Sequence, residues 1–145
     1  MTRKKKILKQ KDTSRARCIE LAKKIARMKA NYKCAYCGRG EPQYQTHGSH
    51  IYGVGAHSDM AGDVDNILCL CATHHVGGYW RNSNAICWHE DPMTMTDFFR
   101  DKYPVRYKKL KLRTQQTIPQ DWQKKYKLLK KQLNDLIENN LKRSG

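Results

Sequence analysis

Residues 65–75 read DNILCLCATHH, and this stretch decides the fold. The short apolar run over residues 66–70 is typical of a buried strand, and a helix is expected to begin around residues 72–75. Gly77 and Gly78 keep that helix short or interrupted. Cys71 and His74 stand at the junction with two residues between them. The sequence therefore predicts a strand and a helix joined at a metal-ligand pair.

A second pair with the same spacing lies upstream, in Cys34-Ala-Tyr-Cys37-Gly38. Two thiolates on a tight turn can hold two corners of a tetrahedron, so the pairs together predict a closed site of three cysteines and one histidine. Such a site would hold structural Zn²⁺ and staple residues 34–37 to residues 71–74. Because the N-terminus has no apolar signal segment, we expect a reducing compartment and metal binding rather than disulfides.

Alternative ligands remain open at this stage. Cys69 could replace Cys71 or His74, although a core position in the strand suits it better. His75 could take the place of His74. Cys87-x-His89 is a weaker candidate for metal contact, and Cys18 is expected to be a packing residue.

The charge distribution indicates a polyanionic partner. The 145 residues carry 29 Lys and Arg against 13 Asp and Glu, a formal net charge of +16. Residues 1–33 contribute +11 and residues 93–145 contribute +9, whereas residues 34–92 carry −4. Two basic segments therefore flank an acidic centre that holds all six histidines, and DNA is the expected partner. No membrane segment is expected. The predicted location is the cytoplasm.

Helical patterns lie in both basic segments. Residues 2–12 are predicted to be a mobile basic arm, followed by a helix from about Ser14 to Tyr32. A further helix is expected at residues 96–102, ended by Pro104. Start signals at Thr117, Pro119 and Gln120 precede an apolar stripe that predicts the last helix, formed by Trp122, Tyr126, Leu129, Leu133 and Leu136. That stripe is expected to pack on its own domain, with dimerisation through residues 119–140 as the alternative.

The central block resembles the HNH endonuclease family. The strings that carry the resemblance are THGSHI at 46–51, DNILCLC at 65–71 and CATHH at 71–75. His50 is followed after 16 residues by Asn66 and after 9 more by His75, interleaved with the two metal-ligand pairs. Within the family the block is most similar to phage-type members, including NinG-like recombination endonucleases.

The resemblance implies an α+β fold with a small ββα-metal core (His-Me finger), stapled by zinc and flanked by basic helices. It divides the chain into residues 1–31, a nuclease core at 32–92, and a helical extension at 93–145. In that fold His50 is the general base, His75 binds a catalytic Mg²⁺ or Mn²⁺, and Asn66 orients His50 or fixes the loop carrying it.

The second ligand of the catalytic metal is left open, because Ser49 stands where many HNH enzymes have Asp or His. The candidates are His47, Ser49 and His57, or a water shell held by Asp63 or Asp65. Since alternate strand residues face opposite sides, His47 and His50 would need a bend at Gly48 to reach one ion.

The expected activity is hydrolysis of DNA phosphodiesters, leaving 5′-phosphate and 3′-hydroxyl ends by resemblance, in a bacterial or phage-infected cell. Candidate DNA-contacting residues are Arg81, Lys23, Lys24, Arg27, Lys124 and Lys125. One alternative is a nuclease selective for branched or flap DNA. The other is a catalytically silent, zinc-stabilised protein that binds nucleic acid.

Overall fold

The computed structural model describes residues 3–76 and 87–144, with side chains from residue 14 onward. Within these residues the chain is mixed α+β, with five helices and two strands. In chain order they are α1 (Arg3–Lys29), β1 (Thr46–His50), β2 (Ile67–Cys71), α2 (Ala72–Val76), α3 (Pro92–Lys102), α4 (Pro104–Thr114) and α5 (Trp122–Ser144). Two short 3₁₀ turns, Ser58–Met60 and Val64–Asn66, lie in the connection between the strands.

The two strands form one antiparallel sheet, with Thr46 opposite Cys71 and His50 opposite Ile67. All five residues of β2 are buried, which explains why its sequence is a continuous apolar run rather than an alternating one. The register runs unbroken through Gly48, so the bend that would bring His47 and His50 to one face is absent from this strand.

Helices cover the two faces of the sheet. On one face, Ile67 packs with α1 and with Leu129 and Leu133 of α5. On the other face, Leu68 and Leu70 pack with a cluster that includes Met60, Met95, Phe99 and Leu110. These two clusters supply the burial that holds α1 and α5 to one side of β2, and α3 and α4 to the other.

The first helix is longer than the sequence predicted. The structure extends α1 back to Arg3, so the expected mobile arm over residues 2–12 is wrong for residues 3–12. Residues 3–29 contain no glycine or proline, and a helix that is already packed can propagate through Lys, Arg and Gln at little cost. The helix ends at Lys29 rather than Tyr32, because Asn31 and Tyr32 have positive φ values of 53° and 56°.

The predicted helix boundaries are wrong at two prolines, Pro92 and Pro104. Pro104 does not simply end a helix; it occupies the first turn of α4, which the sequence analysis missed. Pro92 likewise begins α3, four residues before the predicted start, and the Asp91 carboxylate caps that helix by accepting from Thr94 N–H. Both cases follow from the tolerance of proline at the first helical position, where its missing N–H has no intrahelical partner.

The last helix packs on its own chain. The predicted stripe faces α1, with Leu129 and Leu133 buried and its other members partly buried against the same cluster. The Cys18 thiol adds a hydrogen bond to the Trp122 carbonyl, at 3.1 Å. The predicted stripe is thus covered within the chain, whereas Leu128 and Ile137 of the same helix are exposed. No helix in the described ranges combines the length and apolar content needed to cross a membrane.

Candidate metal centre and catalytic cleft

The four predicted zinc ligands lie together. Cys34 and Cys37 flank a turn closed by a hydrogen bond from Gly38 N–H to the Cys34 carbonyl, and Gly38 has a φ of 76° that favours glycine. Cys71 is the last residue of β2, and His74 lies in α2 directly after it. The ligand atoms of these four residues are all within 4.8 Å of one another.

The spacing of these atoms fits a tetrahedral ion. Two thiolates about 2.3 Å from zinc would be about 3.8 Å apart, and a thiolate and an imidazole nitrogen about 3.5 Å apart. The Sγ atoms of Cys37 and Cys71 are 3.9 Å apart, and His74 Nδ1 is 3.6 Å from Cys34 Sγ and 3.1 Å from Cys71 Sγ. The cluster can therefore hold a structural metal such as zinc.

The pKa values of two thiols in this cluster are shifted in opposite directions. Burial and the neighbouring Cys34 thiolate raise the pKa of Cys71 to about 12. Burial also opposes ionisation of Cys34, but hydrogen bonds from the backbone of Cys71, Cys37 and Tyr36 outweigh it and lower the pKa of this thiol. A cation at the centre would favour the thiolate of both groups.

The alternative ligands lie elsewhere. Cys69 is buried in the middle of β2, opposite Gly48, where burial raises the pKa of its thiol, and it is not among the four clustered ligands. Cys87 is buried and its sulfur accepts a hydrogen bond from Glu90 N–H, so it closes a turn. All six cysteines are free thiols in the structure.

His50 is held in one orientation and one tautomer. Its Nε2 lies 2.8 Å from the Ala61 carbonyl, and since a carbonyl only accepts, Nε2 must carry the hydrogen. The neutral ring therefore has its lone pair on Nδ1. Burial lowers the pKa of His50, and the positive charges of Lys23 and Arg15 add to this effect against the opposing Ala61 carbonyl.

Asn66 fixes the loop that carries this carbonyl. The side chain is fully buried; its Oδ1 accepts from Tyr52 N–H, and its Nδ2 donates to the carbonyls of Tyr52 and Met60. Met60 precedes Ala61, so Asn66 acts on His50 through the loop backbone and has no hydrogen bond to the imidazole in the described contacts. Of the two roles left open by the sequence, the contacts favour the second.

His75 meets His47, not the zinc cluster. The Nδ1 atoms of His47 and His75 are 3.0 Å apart, and the His89 ring lies 5.0 Å from the His75 ring. Burial, followed by the His47 and His89 charges, lowers the pKa of His75 to about 4. Two nitrogens bound to one octahedral ion at about 2.1 Å would also be about 3.0 Å apart, so this pair fits a divalent metal.

The other proposed metal contacts are placed less favourably. Ser49 is buried opposite Leu68, and the His57 ring packs against Tyr52. The carboxylates proposed to hold a water shell are engaged in ion pairs, Asp63 with Lys125 and Asp65 with Lys109. Among the candidates for the second ligand, His47 is the one whose described contacts reach His75.

A basic cleft of about 980 Å³ opens beside this pair. His47, Gly48 and His75 lie on one wall. The basic residues of α1 that line the cleft are Arg17, Lys23, Lys24 and Arg27. The Arg27 guanidinium is engaged by the Glu41 carboxylate at 3.0 Å, which leaves the other three as the stronger sources of positive potential.

The predicted DNA contacts on α5 are placed differently. Lys125 lines a separate hollow and pairs with Asp63, whereas Lys124 is exposed. Arg81 lies outside the described residues. The basic surface beside the histidines is therefore supplied by α1.

Sequence reasoning missed three features of this site. The Ala61 carbonyl is a backbone group with no residue signature, and the approach of His89 to His75 depends on how the chain returns after α2. The close contact between Gly48 and Lys23 was also missed, although a glycine inside a strand is a known sign of close approach.

Comparison with protein-family models, with curated proteins and with solved structures finds no match to this chain.

Proposed function

We propose that this chain is a metal-dependent DNA endonuclease of the HNH type, with β1, β2 and α2 as its ββα-metal core. The observation that carries the proposal is the arrangement around β1. A histidine with its tautomer set by the Ala61 carbonyl lies on the same strand as His47, and His47 meets His75 of α2 beside a basic cleft.

His50 supplies the base. With Nε2–H donated to Ala61, the Nδ1 lone pair is available to take a proton from water. The water oxygen then attacks phosphorus, and the bond from phosphorus to the 3′ oxygen breaks. This leaves a 5′-phosphate, and the departing 3′ oxygen takes a proton from solvent to become the 3′-hydroxyl. The lowered pKa of His50 keeps the imidazole neutral and ready to accept a proton at neutral pH.

His47 and His75 would hold the divalent cation, Mg²⁺ or Mn²⁺. When bound, the cation supplies positive charge to the phosphate and to the leaving oxygen. Imidazole nitrogens suit transition metals better than Mg²⁺, so this pair favours Mn²⁺ of the two. The contact between His47 and His75 also joins β1 to α2.

The zinc cluster would help to position His75, because its ligand His74 is the preceding residue. His74 belongs to the cluster and His75 to the cleft, so zinc at Cys34, Cys37, Cys71 and His74 would fix the orientation of α2. That helix has only five residues and none of them is buried. A metal anchor therefore replaces the hydrophobic burial that a longer helix would use.

DNA is the substrate that the charges favour. The formal net charge is +16, and the cleft next to the histidines is lined by basic residues of α1. Phosphate contacts of this kind give affinity with little base recognition and a strong dependence on salt.

The proposal is tested by incubating purified protein with supercoiled plasmid in Mn²⁺ or Mg²⁺. Wild type is expected to give nicked or linear product that EDTA abolishes. His50→Gln is the informative variant, because its Nε2 amide can still donate to the Ala61 carbonyl but it has no basic nitrogen. We expect it to bind DNA and not cleave.

Flap and four-way-junction DNA in the same assay show whether branched substrates are preferred. Cleavage by His50→Gln at the wild-type rate would overturn the assignment of His50 as the base. Binding without cleavage of any substrate by wild type would favour the silent nucleic-acid-binding protein.

A further inference from the structure

Helix α1 lies directly on β1 at Gly48. A Cβ built on this glycine would be 2.7 Å from Lys23 Cγ, 2.8 Å from Lys23 Cβ and 3.0 Å from Lys23 Cα. Real Cβ atoms essentially never come within 3.0 Å of another heavy atom, as this one would at Lys23 Cβ and Cγ, so the contact requires glycine at position 48. Lys23 is therefore held against the strand between His47 and His50.

The position of Lys23 puts its charge inside the cleft. Lys23, His47 and His75 all line it. The Lys23 charge also reaches His50, two residues from Gly48 on the same strand, where it contributes to the lowered pKa of that imidazole. Lys23 thus lines the cleft with the pair assigned to the metal and is close enough to the histidine assigned as base to act on its charge.

The positive charge of Lys23 is weakly compensated. Its ion pair with Glu20 is long, 4.0 Å, and the Glu20 side chain is 77% exposed, so it is screened by water. Arg27 and Lys125 differ, because Glu41 and Asp63 engage them in closer ion pairs. A phosphate entering the cleft would find the Lys23 ammonium available.

We propose that Lys23 is a catalytic residue whose ammonium donates a hydrogen bond to a non-bridging oxygen of the phosphate that is cleaved. This rests on the proposed nuclease function. Lys23 transfers no proton: the water proton goes to His50 Nδ1, and the bond to the 3′ oxygen breaks as before, with the leaving oxygen protonated by solvent. The charge on the phosphate oxygens grows during the attack, so a fixed cation there lowers the barrier.

The first test is single-turnover cleavage of a linear duplex with saturating protein and Mn²⁺. Loss of one donor to a developing oxyanion typically costs about 10²–10³-fold in rate, and we expect Lys23→Ala to fall in this range. Lys23→Arg, which keeps the charge, is expected to recover most of the loss. Lys108→Ala is the matched control, because Lys108 is exposed on α4 away from the cleft.

The second test does not need cleavage. Binding of the same duplex is measured without added Mn²⁺ or Mg²⁺ over a range of salt concentrations. Removing one phosphate contact should reduce the slope of log K against log salt by about 0.9, so Lys23→Ala should show this reduction and Lys108→Ala should not. Thermal melting of each variant confirms that it is folded.

The outcomes separate the two proposals. If wild type cleaves and Lys23→Ala cleaves equally fast, the role of Lys23 is overturned and the nuclease stands. If wild type never cleaves but Lys23→Ala lowers the salt slope, the nuclease is overturned and the phosphate contact stands. An unchanged slope together with an unchanged rate rejects the contact altogether.

Discussion

Replacing Asn66 by Ala should destabilise the fold and slow cleavage through the same loop. The side chain is fully buried and makes three hydrogen bonds, to Tyr52 N–H and to the carbonyls of Tyr52 and Met60. At about 1 kcal/mol for each bond, the substitution should cost about 3 kcal/mol in the free energy of unfolding. For a domain of this size that corresponds to a fall in Tm of roughly 6–12 °C.

The variant should also cleave DNA slowly where it is still folded. Met60 precedes Ala61, and displacement of the Ala61 carbonyl would release His50 from its orientation. A misplacement of about 1 Å at a reacting group can cost about 10²-fold in rate. Urea denaturation gives the free energy, and single-turnover cleavage below the melting range gives the rate.

Asn134→Ala is the control, since Asn134 is exposed on α5 and alanine is favourable in a helix. Its free energy of unfolding should change by less than about 0.5 kcal/mol. If Asn66→Ala lost no more stability than Asn134→Ala, the loop would not depend on these hydrogen bonds. Full cleavage activity in a destabilised Asn66→Ala would separate the loop from His50.

Two further predictions concern the zinc cluster and the acid limb of stability. Cys37 is exposed, so Cys37→Ser changes the metal site with little effect on packing. The variant should melt at a lower temperature, and elemental analysis should find less bound zinc than in wild type. Unchanged zinc content would contradict the site. Hydrogen bonds from Ile118 N–H and Arg113 lower the pKa of Asp59, so the stabilisation is present above the unfolded-state pKa of about 3.9 and is lost as pH falls through the folded-state value. Denaturation of Asp59→Asn across that acidic range should show a smaller dependence on pH than wild type, and an identical dependence would reject this assignment.

The elements that sequence reasoning predicted are those with local signals. The apolar run before Cys71 predicted β2, and the spacing of two residues in each ligand pair predicted the Cys3His grouping. The stripe beginning at Trp122 predicted α5 and its packing on the same chain. The strand, each ligand pair and the helical stripe are each encoded by residues close together in sequence. A pattern of this kind can be recognised without knowing the rest of the fold.

The features that were missed depend on groups far apart in sequence. Asp63 and Asp65 are free acidic residues by local pattern, yet lysines 62 and 44 positions away pair with them. A proline such as Pro104 can follow the end of one helix or begin the next. The packing of α4 shows that Pro104 begins a helix. The tautomer of His50 depends on a backbone carbonyl in a loop.

The most direct test of the central proposal is chemical rescue of His50→Gly by imidazole. If His50 Nδ1 takes the proton from the attacking water, the variant should be inactive alone, and added imidazole should restore Mn²⁺-dependent cleavage of plasmid in a saturable manner. The restored rate should rise with pH as the added imidazole becomes neutral. Cleavage by His50→Gly at the wild-type rate without imidazole would contradict the assignment of His50 as the base.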